Sequence, residues 1–441
     1  MLGMTLAYQL AQQGQKVTLI ESEETVGGLA STWQLGDITW DKHYHVTLLS
    51  DIEYLSLLDE LGLKEEMQWV ETKTGFYTDE KLYSMSNSVE FLSFPPLNLV
   101  DKLRLGVTIF YASRIKDWKK LESILVTDWL RRLSGKRTFE KIWLPLLRSK
   151  LGNSYQNVSA AFIWTTIARM YAARRSGLKK EMFGYNPGGY GRILDTFKAR
   201  LESLGVEIRT STRITSSLHL QDGVKLFTNK RLIGEYDRVV FTVPGQVIAN
   251  TCPQLRPAEL SKLENLKYQG IICASVLLKQ PLAKYYVTNI TCDWVPFTGV
   301  IEMTCLVNPG IFNGLSLVYL PKYIHQDSAE FSLSDEEIKE QFIKALLRMY
   351  PHLSSTDIVE FKVSRVKRVF ALPVLNYSQA IPSIKTSLQN IFIVNSSQII
   401  NGTLNVNETV KLANSAARYL LAQEQSQSNK EYDSECLGAN V

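Results

Sequence analysis

Apolar positions recur at helical spacing from the very start of the chain. Leu6, Ala7, Leu10 and Ala11 predict a helix over Gly3–Gln13. Gly14 stops it, and Lys16-Val-Thr-Leu-Ile-Glu21 reads as a short strand ending in an acid. A Gly27-Gly28 turn follows, then a helical stretch over 50–63 that breaks at Leu61-Gly62-Leu63. From about 85 to 185 leucines interleave with aromatic and basic residues at helical spacing, as in Leu121–Leu133 and Phe139–Leu151, which predicts a mostly helical insertion. Phe94-Pro95-Pro96 marks a boundary within it. After Tyr185-Asn-Pro-Gly-Gly189 the pattern predicts a helix over 190–203, a strand at 206–209 and another at 239–243. Strands and helices mix through 265–365. Asn390-Ile-Phe-Ile-Val394 reads as a buried strand, followed by a polar turn (395–408) and a helix over 408–423. The polar residues 426–441 predict a disordered tail. No internal repeat is evident.

The 441 residues suit two or three domains at about 150 residues each. With 45% hydrophobic and 21% charged residues, wholesale disorder is excluded. A net charge of +5, from 49 basic and 44 acidic residues, is too mild and too mixed to predict a nucleic-acid partner. The five cysteines (Cys252, Cys273, Cys292, Cys305, Cys436) form no C-x-x-C pair and read as reduced thiols, predicting a cytoplasmic protein. Six N-x-S/T sites, Asn289 and Asn407 among them, matter only in a secreted chain, and no signal peptide is visible. The longest apolar runs, near 105–112 and 270–278, fall far short of the roughly 20 residues that span a bilayer, so no transmembrane segment is expected. His43 and His45 lack further ligands nearby, and no metal is expected.

The chemistry is carried by the N-terminal pattern. A glycine, a helix, a strand and an acid form the later part of a dinucleotide-binding unit. If Gly3 is the third glycine of G-x-G-x-x-G, the first strand and the Gly-x-Gly fall upstream of Met1, and the chain is expected to lack the start of its fold. Glu21 then lies 18 residues past Gly3, near the spacing of about 20 at which an acid accepts hydrogen bonds from a ribose diol. The helix start offers free N–H groups and a positive dipole end to a pyrophosphate. Any αβ unit with an early glycine fits this half-motif too. The run Gly27-Gly28-Leu29-Ala30-Ser31 adds a second glycine turn six residues after the acid, where backbone can approach a phosphate.

Together these residues resemble the FAD-binding start of the flavin amine oxidase, protoporphyrinogen oxidase and phytoene desaturase superfamily. The resemblance extends along the chain. Gly188-Gly189, a helix, Gly205 and a strand are similar to the second cofactor segment, which implies adenine contacts near Thr212-Arg213-Ile214. Asp237–Pro244 resembles the next strand. Ile391-Phe-Ile-Val-Asn395-Ser396, with a helix opening near Asn407-Glu408, is similar to the segment that holds pyrophosphate and flavin. Where the family often has Ala-Gly-Glu/Asp, this chain has Val394-Asn395-Ser396, which leaves the ribityl contact open. The loop Asp41-Lys42-His43-Tyr44-His45 departs from the family's glycine near position 43. His45 reads either as a residue beside flavin or substrate, the one catalytic candidate, or as a hydrogen-bonded loop histidine. Trp129, Gly135, Trp143-Leu-Pro145, Lys150-Leu-Gly152, Ile301-Glu302 and Val318–Pro321 are similar to the substrate domain of a protoporphyrinogen-oxidase-like group.

The expected fold is α/β: a Rossmann-like FAD-binding domain (1–72, 186–248 and 366–425) interleaved with an α+β substrate domain (73–185 and 249–365). The implied activity is that of an FAD-dependent oxidoreductase passing a hydride from a small organic substrate, lipophilic by one reading, to the flavin. Two rivals stay open. One is a flavin-dependent mutase, needing arginines such as Arg169, Arg174 and Arg175 to clamp a diphosphate. The other is a decayed, non-catalytic flavin fold. The basic stretches Arg131-Arg132, Lys136-Arg137, Arg174-Arg175 and Lys179-Lys180 read as a solvated face, or as a surface for an anionic substrate or peripheral membrane contact. Trp118, Trp129, Trp143 and Trp164 read as core, with a flat substrate pocket as the alternative, and Cys273 as plainly buried.

Overall fold

The computed structural model describes residues 1–86, 88–175, 182–400 and 403–438. The first helix, Leu2–Gln12, is buried on two sides. Met4, Ala7, Tyr8 and Ala11 pack with Val17, Leu19 and the helix Gly189–Ser203 through Ile193 and Phe197. Leu2, Leu6 and Leu10 instead pack with Phe392, Val394 and the final helix through Ala413 and Ala417. The helix therefore covers two pairs of parallel strands: Thr18–Ile20 with Glu207–Arg209, and Val239–Phe241 with Ile391–Ile393. Among the described residues no strand hydrogen-bonds one pair to the other.

A seven-stranded mixed sheet forms the second layer. Its order is Ile358–Ala371, Tyr268–Leu278, Ser316–His325, Gly299–Glu302, Val287–Ile290, Thr74–Thr78 and Lys81–Ser84. Every residue of Tyr268–Leu278 is buried. That strand has a neighbour on each edge and a covered face on each side, which is why its sequence runs apolar instead of alternating. The helical insertion is confirmed and has its own core, with Trp129, Trp143, Leu130, Phe139 and Leu147 at its centre. Trp143 Nε1 donates to Ser134 Oγ at 2.8 Å and Trp164 Nε1 to the Ala112 carbonyl at 3.0 Å. These tryptophans are structural, as the core reading had it, and Cys273 is buried.

Three details differ from the sequence expectations. The strand Ile358–Ala371 pairs with Tyr268–Leu278 as far as Ala371, so the expected domain border at 365/366 falls inside one strand. Met182–Tyr185 pairs with Thr47–Leu48 and Gln68–Glu71, so the return to the first layer comes slightly before 186. The final helix runs Val406–Gly438 rather than 408–423, through most of the stretch expected to be a disordered tail. A helix already nucleated against a core extends at little cost through Gln, Glu and Lys, which are good helix formers. Residues 439–441 lie outside the described residues, as do Lys179 and Lys180. No helix among the described residues is long and apolar enough to cross a membrane.

Candidate active site

The predicted nucleotide-binding residues converge at the start of the first helix. The Met1 amino group is buried and lies 3.5 Å from the Gly27 carbonyl oxygen. Burial lowers its pKa to about 6, with the nearby Glu21 carboxylate pulling the other way. Glu21 ends its strand, with its N–H donating to the Arg209 carbonyl, and its own carbonyl accepts from Thr212 N–H. That bond sets Arg213 beside the acid-bearing strand. Arg213 is exposed there and 3.5 Å from Glu23. Gly27 must be glycine: its φ is +122° and an added Cβ would lie 2.5 Å from Leu194. Gly28, φ +61°, faces open space and opens the short turn Gly28–Ala30. Ala30 is core, Leu29 is half-buried, and Ser31 accepts the Lys42 N–H through its carbonyl. Gly3 is less constrained than the motif implies. Its added Cβ would meet Thr242 Oγ1 at 3.4 Å, an ordinary contact.

The flavin-side residues prove to be held by the protein itself. Asn395 is buried, donates to the Val243 carbonyl at 3.0 Å and accepts from Ser397 N–H and Oγ, capping the turn Ser396–Gln398. Ser396 is half-buried beside it. Asn407 accepts the Tyr54 N–H at 3.1 Å and donates to Glu408 at 3.3 Å. At Gly188-Gly189 the close approach is that of a carboxylate. Asp41 Oδ1 accepts the Tyr190 N–H at 2.7 Å, and a Cβ on Gly189, φ +62°, would lie 2.7 Å from that oxygen.

His45 sits at the junction of these elements. Its ring is 4.6 Å from that of Tyr190, which stacks on Tyr54 at 6.0 Å. Its Nδ1 is buried without a hydrogen-bond partner. Burial lowers the His45 pKa to about 4 and the His43 pKa to about 3, the latter helped by the His45 and Lys42 charges. Both imidazoles are therefore neutral at pH 7. Burial raises the Asp41 pKa to about 7, against the pull of the Tyr190 N–H. The Asp41 carbonyl accepts the Tyr319 hydroxyl at 2.6 Å, tying this loop to the large sheet.

A polar cluster that received no role from the sequence lies on the sheet side of the same loop. Lys150 Nζ donates to Tyr44 OH at 3.1 Å, and Tyr44 OH shares a 3.0 Å hydrogen bond with Tyr323 OH. The ammonium lies 5.5 Å and 5.1 Å from the two ring centres. Phe370 packs on Tyr323 at 6.3 Å. Gln269, wholly buried, leaves both its amide nitrogen and its oxygen unpaired. Its Nε2 lies 3.5 Å from where a Gly152 Cβ would stand, and the Tyr323 carbonyl 3.0 Å from it. An unpaired buried amide costs about 1–3 kcal/mol per group unless a ligand or an ordered water completes it. The one sequence signal for Gln269 is an amide inside a mostly apolar strand.

Of the arginines a diphosphate clamp would need, only Arg169 has a described side chain. Arg169 is committed to Asp51 at 2.6 Å, and the side chains of Arg174 and Arg175 lie outside the described residues. Among the described residues no cluster of three or more metal-ligating side chains occurs.

Comparison with known proteins gives the family and the fold. The family described as flavin containing amine oxidoreductase matches residues 2–420, and the chain belongs to it. The chain is 23% identical over 388 residues to the chloroplastic/chromoplastic 15-cis-phytoene desaturase of Capsicum annuum, covering 82% of this chain and 65% of that protein. The chain thus spans just under two thirds of the length of that relative. It is also 29% identical over 152 residues to protoporphyrinogen oxidase 2 of Arabidopsis thaliana, covering 33% and 30% of the two chains. The fold matches the crystal structure of an oxidoreductase from Methanosarcina mazei with a TM-score of 0.75 at 15% identity, over 95% of this chain and 98% of that one. The residues present fit the family's flavin: a helix start beside Glu21, an open Gly28, and unpaired buried atoms at His45 and Gln269.

Proposed function

We propose that the protein is an FAD-dependent oxidoreductase that dehydrogenates a small, lipophilic, uncharged or anionic organic substrate. The observation that carries this is Gln269, buried with its amide unpaired, beside the Lys150–Tyr44–Tyr323 cluster and one loop away from His45. FAD supplies the hydride acceptor when bound. Glu21 would hold the adenosine ribose, and the first helix start with Gly27-Gly28 would offer backbone N–H groups to the pyrophosphate. Tyr44, Tyr323 and Phe370 give the substrate apolar faces, and Gln269 fixes its orientation through a polar group. Lys150 sets a positive field over the two phenols and disfavours a protonated amine by like-charge repulsion. Neutral His45, its Nδ1 buried and unpaired, is available for a hydrogen bond to flavin or substrate without adding a cation. The substrate reaches this site from a membrane surface.

The test is anaerobic mixing of the flavin-loaded protein with a panel of lipophilic neutral compounds, lipophilic carboxylates and primary amines, read as loss of flavin absorbance. Bleaching by neutral or anionic compounds, slowed in Gln269→Leu, supports the reading. Bleaching by primary amines alone would overturn it.

A further inference from the structure

The helix Leu99–Arg114 is built inside out. Its inward face carries Asp101, Lys102 and Thr108 beside Leu105 and Ala112, all buried. These polar groups are satisfied: Asp101 pairs with Arg137 at 3.2 Å, Lys102 Nζ donates to the Leu92 carbonyl at 2.5 Å, and Thr108 Oγ1 bonds Ser134 Oγ at 2.9 Å. The outward face carries Leu99, Val100, Leu103, Val107, Phe110 and Tyr111, each more than half exposed, with Leu99 at 76% and Leu103 at 69%. Positions 99, 103, 107 and 110 follow the helical repeat, so these side chains form one stripe. Leu92, 59% exposed, extends it from the preceding helix. Single exposed leucines need no explanation, but a contiguous apolar stripe over buried polar groups does.

The charge around the stripe indicates what covers it. Residues 92–141 hold eleven lysines and arginines against five acids, a surplus of six, whereas the whole chain has a surplus of five. Residues 142–180 add seven more lysines and arginines and no acid, so the local basic surplus belongs to the whole helical insertion and not to this helix alone. Arg114 lies 4.9 Å over the Phe110 ring, its long stem along the apolar stripe. Lys116, Lys119 and Lys120 follow in the next turns. A second copy of this surface would be repelled by the same charge, while an anionic lipid surface is attracted to it.

We propose that Leu99–Arg114 seats the protein on an anionic membrane, with its apolar stripe at the boundary of headgroups and acyl chains and the basic residues on the lipid phosphates. This gives the membrane contact in the proposed function its surface. It rests on that part of the reading and not on the redox chemistry.

The experiment is flotation of the flavin-loaded full chain with phosphatidylcholine vesicles containing about one third phosphatidylglycerol, and with phosphatidylcholine alone. Binding to the anionic vesicles is expected, weakened by raised salt and by omission of phosphatidylglycerol. Leu103→Gln/Phe110→Gln should lower it at least tenfold, with flavin content and melting temperature unchanged. Should that pair fail to fold, Leu103→Gln alone reads the same effect at a smaller size. Absence of vesicle binding, or binding indifferent to these substitutions, would overturn the proposal. So would a wild-type dimer that the double variant turns into a monomer, since the face would then belong to a second copy. A chain that floats with vesicles but whose flavin no substrate bleaches would remove the proposed reaction and leave this proposal standing.

Discussion

The junction around His45 and the helix Leu99–Arg114 break the rule of apolar inside and polar outside in opposite senses. At the junction, Asp41, His43 and Gln269 are buried, and some of their atoms have no partner. On the helix, six large apolar side chains stand in the open over polar groups that are fully paired. An unpaired buried amide calls for a small molecule that brings a hydrogen-bonding group to it. An exposed apolar stripe calls for a surface that offers none. The two departures therefore imply two different ligands, and substitutions at each should behave differently.

The largest expected effect is at Asp41. Its folded pKa, near 7, exceeds the unfolded value near 4. Stability from the protonated carboxyl is fully present below about pH 4 and is lost by about pH 7, roughly 4 kcal/mol in all. His43 and His45 run the other way, because their lowered pKa values cost stability as pH falls below about 6.5. The Asp41 effect is therefore read as a difference. The stability of Asp41→Asn minus that of wild type should rise by about 4 kcal/mol between pH 4 and 7 in urea unfolding. A flat difference would show that the carboxyl is not buried as described.

Gly189→Ala comes next. It combines a left-handed backbone with a Cβ 2.7 Å from Asp41 Oδ1, and should cost about 2–3 kcal/mol in the same assay. At the nucleotide end, Glu21→Ala should weaken FAD binding by about 1–3 kcal/mol, measured by flavin titration, while leaving vesicle binding alone. Gln269→Leu separates function from stability. It should slow substrate bleaching by about tenfold, near 1.4 kcal/mol, yet hold or raise the unfolding midpoint, because an unpaired amide is removed. The smallest effect belongs to the exposed helix. Leu103→Gln should change stability by less than about 0.5 kcal/mol, since its side chain is already in water. A larger loss there would mean that the stripe is covered within the molecule, and the comparison would fail.

The sequence by itself determined the alternation of helices and strands, the helical insertion, the paired glycines and the family. These follow from local periodicity and backbone conformation, which neighbouring residues impose on one another: the Gly27-Gly28 pair and the mostly apolar run at 270–278 are visible without partners. It also pointed to Glu21 and Gly27, which the structure brings to the start of the first helix beside the Met1 amino group. The tertiary structure alone decided what Asn395, Asn407 and Gly189 do, because a cap and an approaching carboxylate depend on chain segments far away in sequence. It likewise decided that Lys150, Tyr44, Tyr323 and Gln269 meet, from four segments with no shared pattern. The inward face of Leu99–Arg114 is a further instance. Its apolar periodicity predicts a helix, but the partners of Asp101, Lys102 and Thr108 turn the apolar side outward. Hydrophobic pattern fixes which residues share a face; only packing and hydrogen-bond satisfaction fix which way that face points.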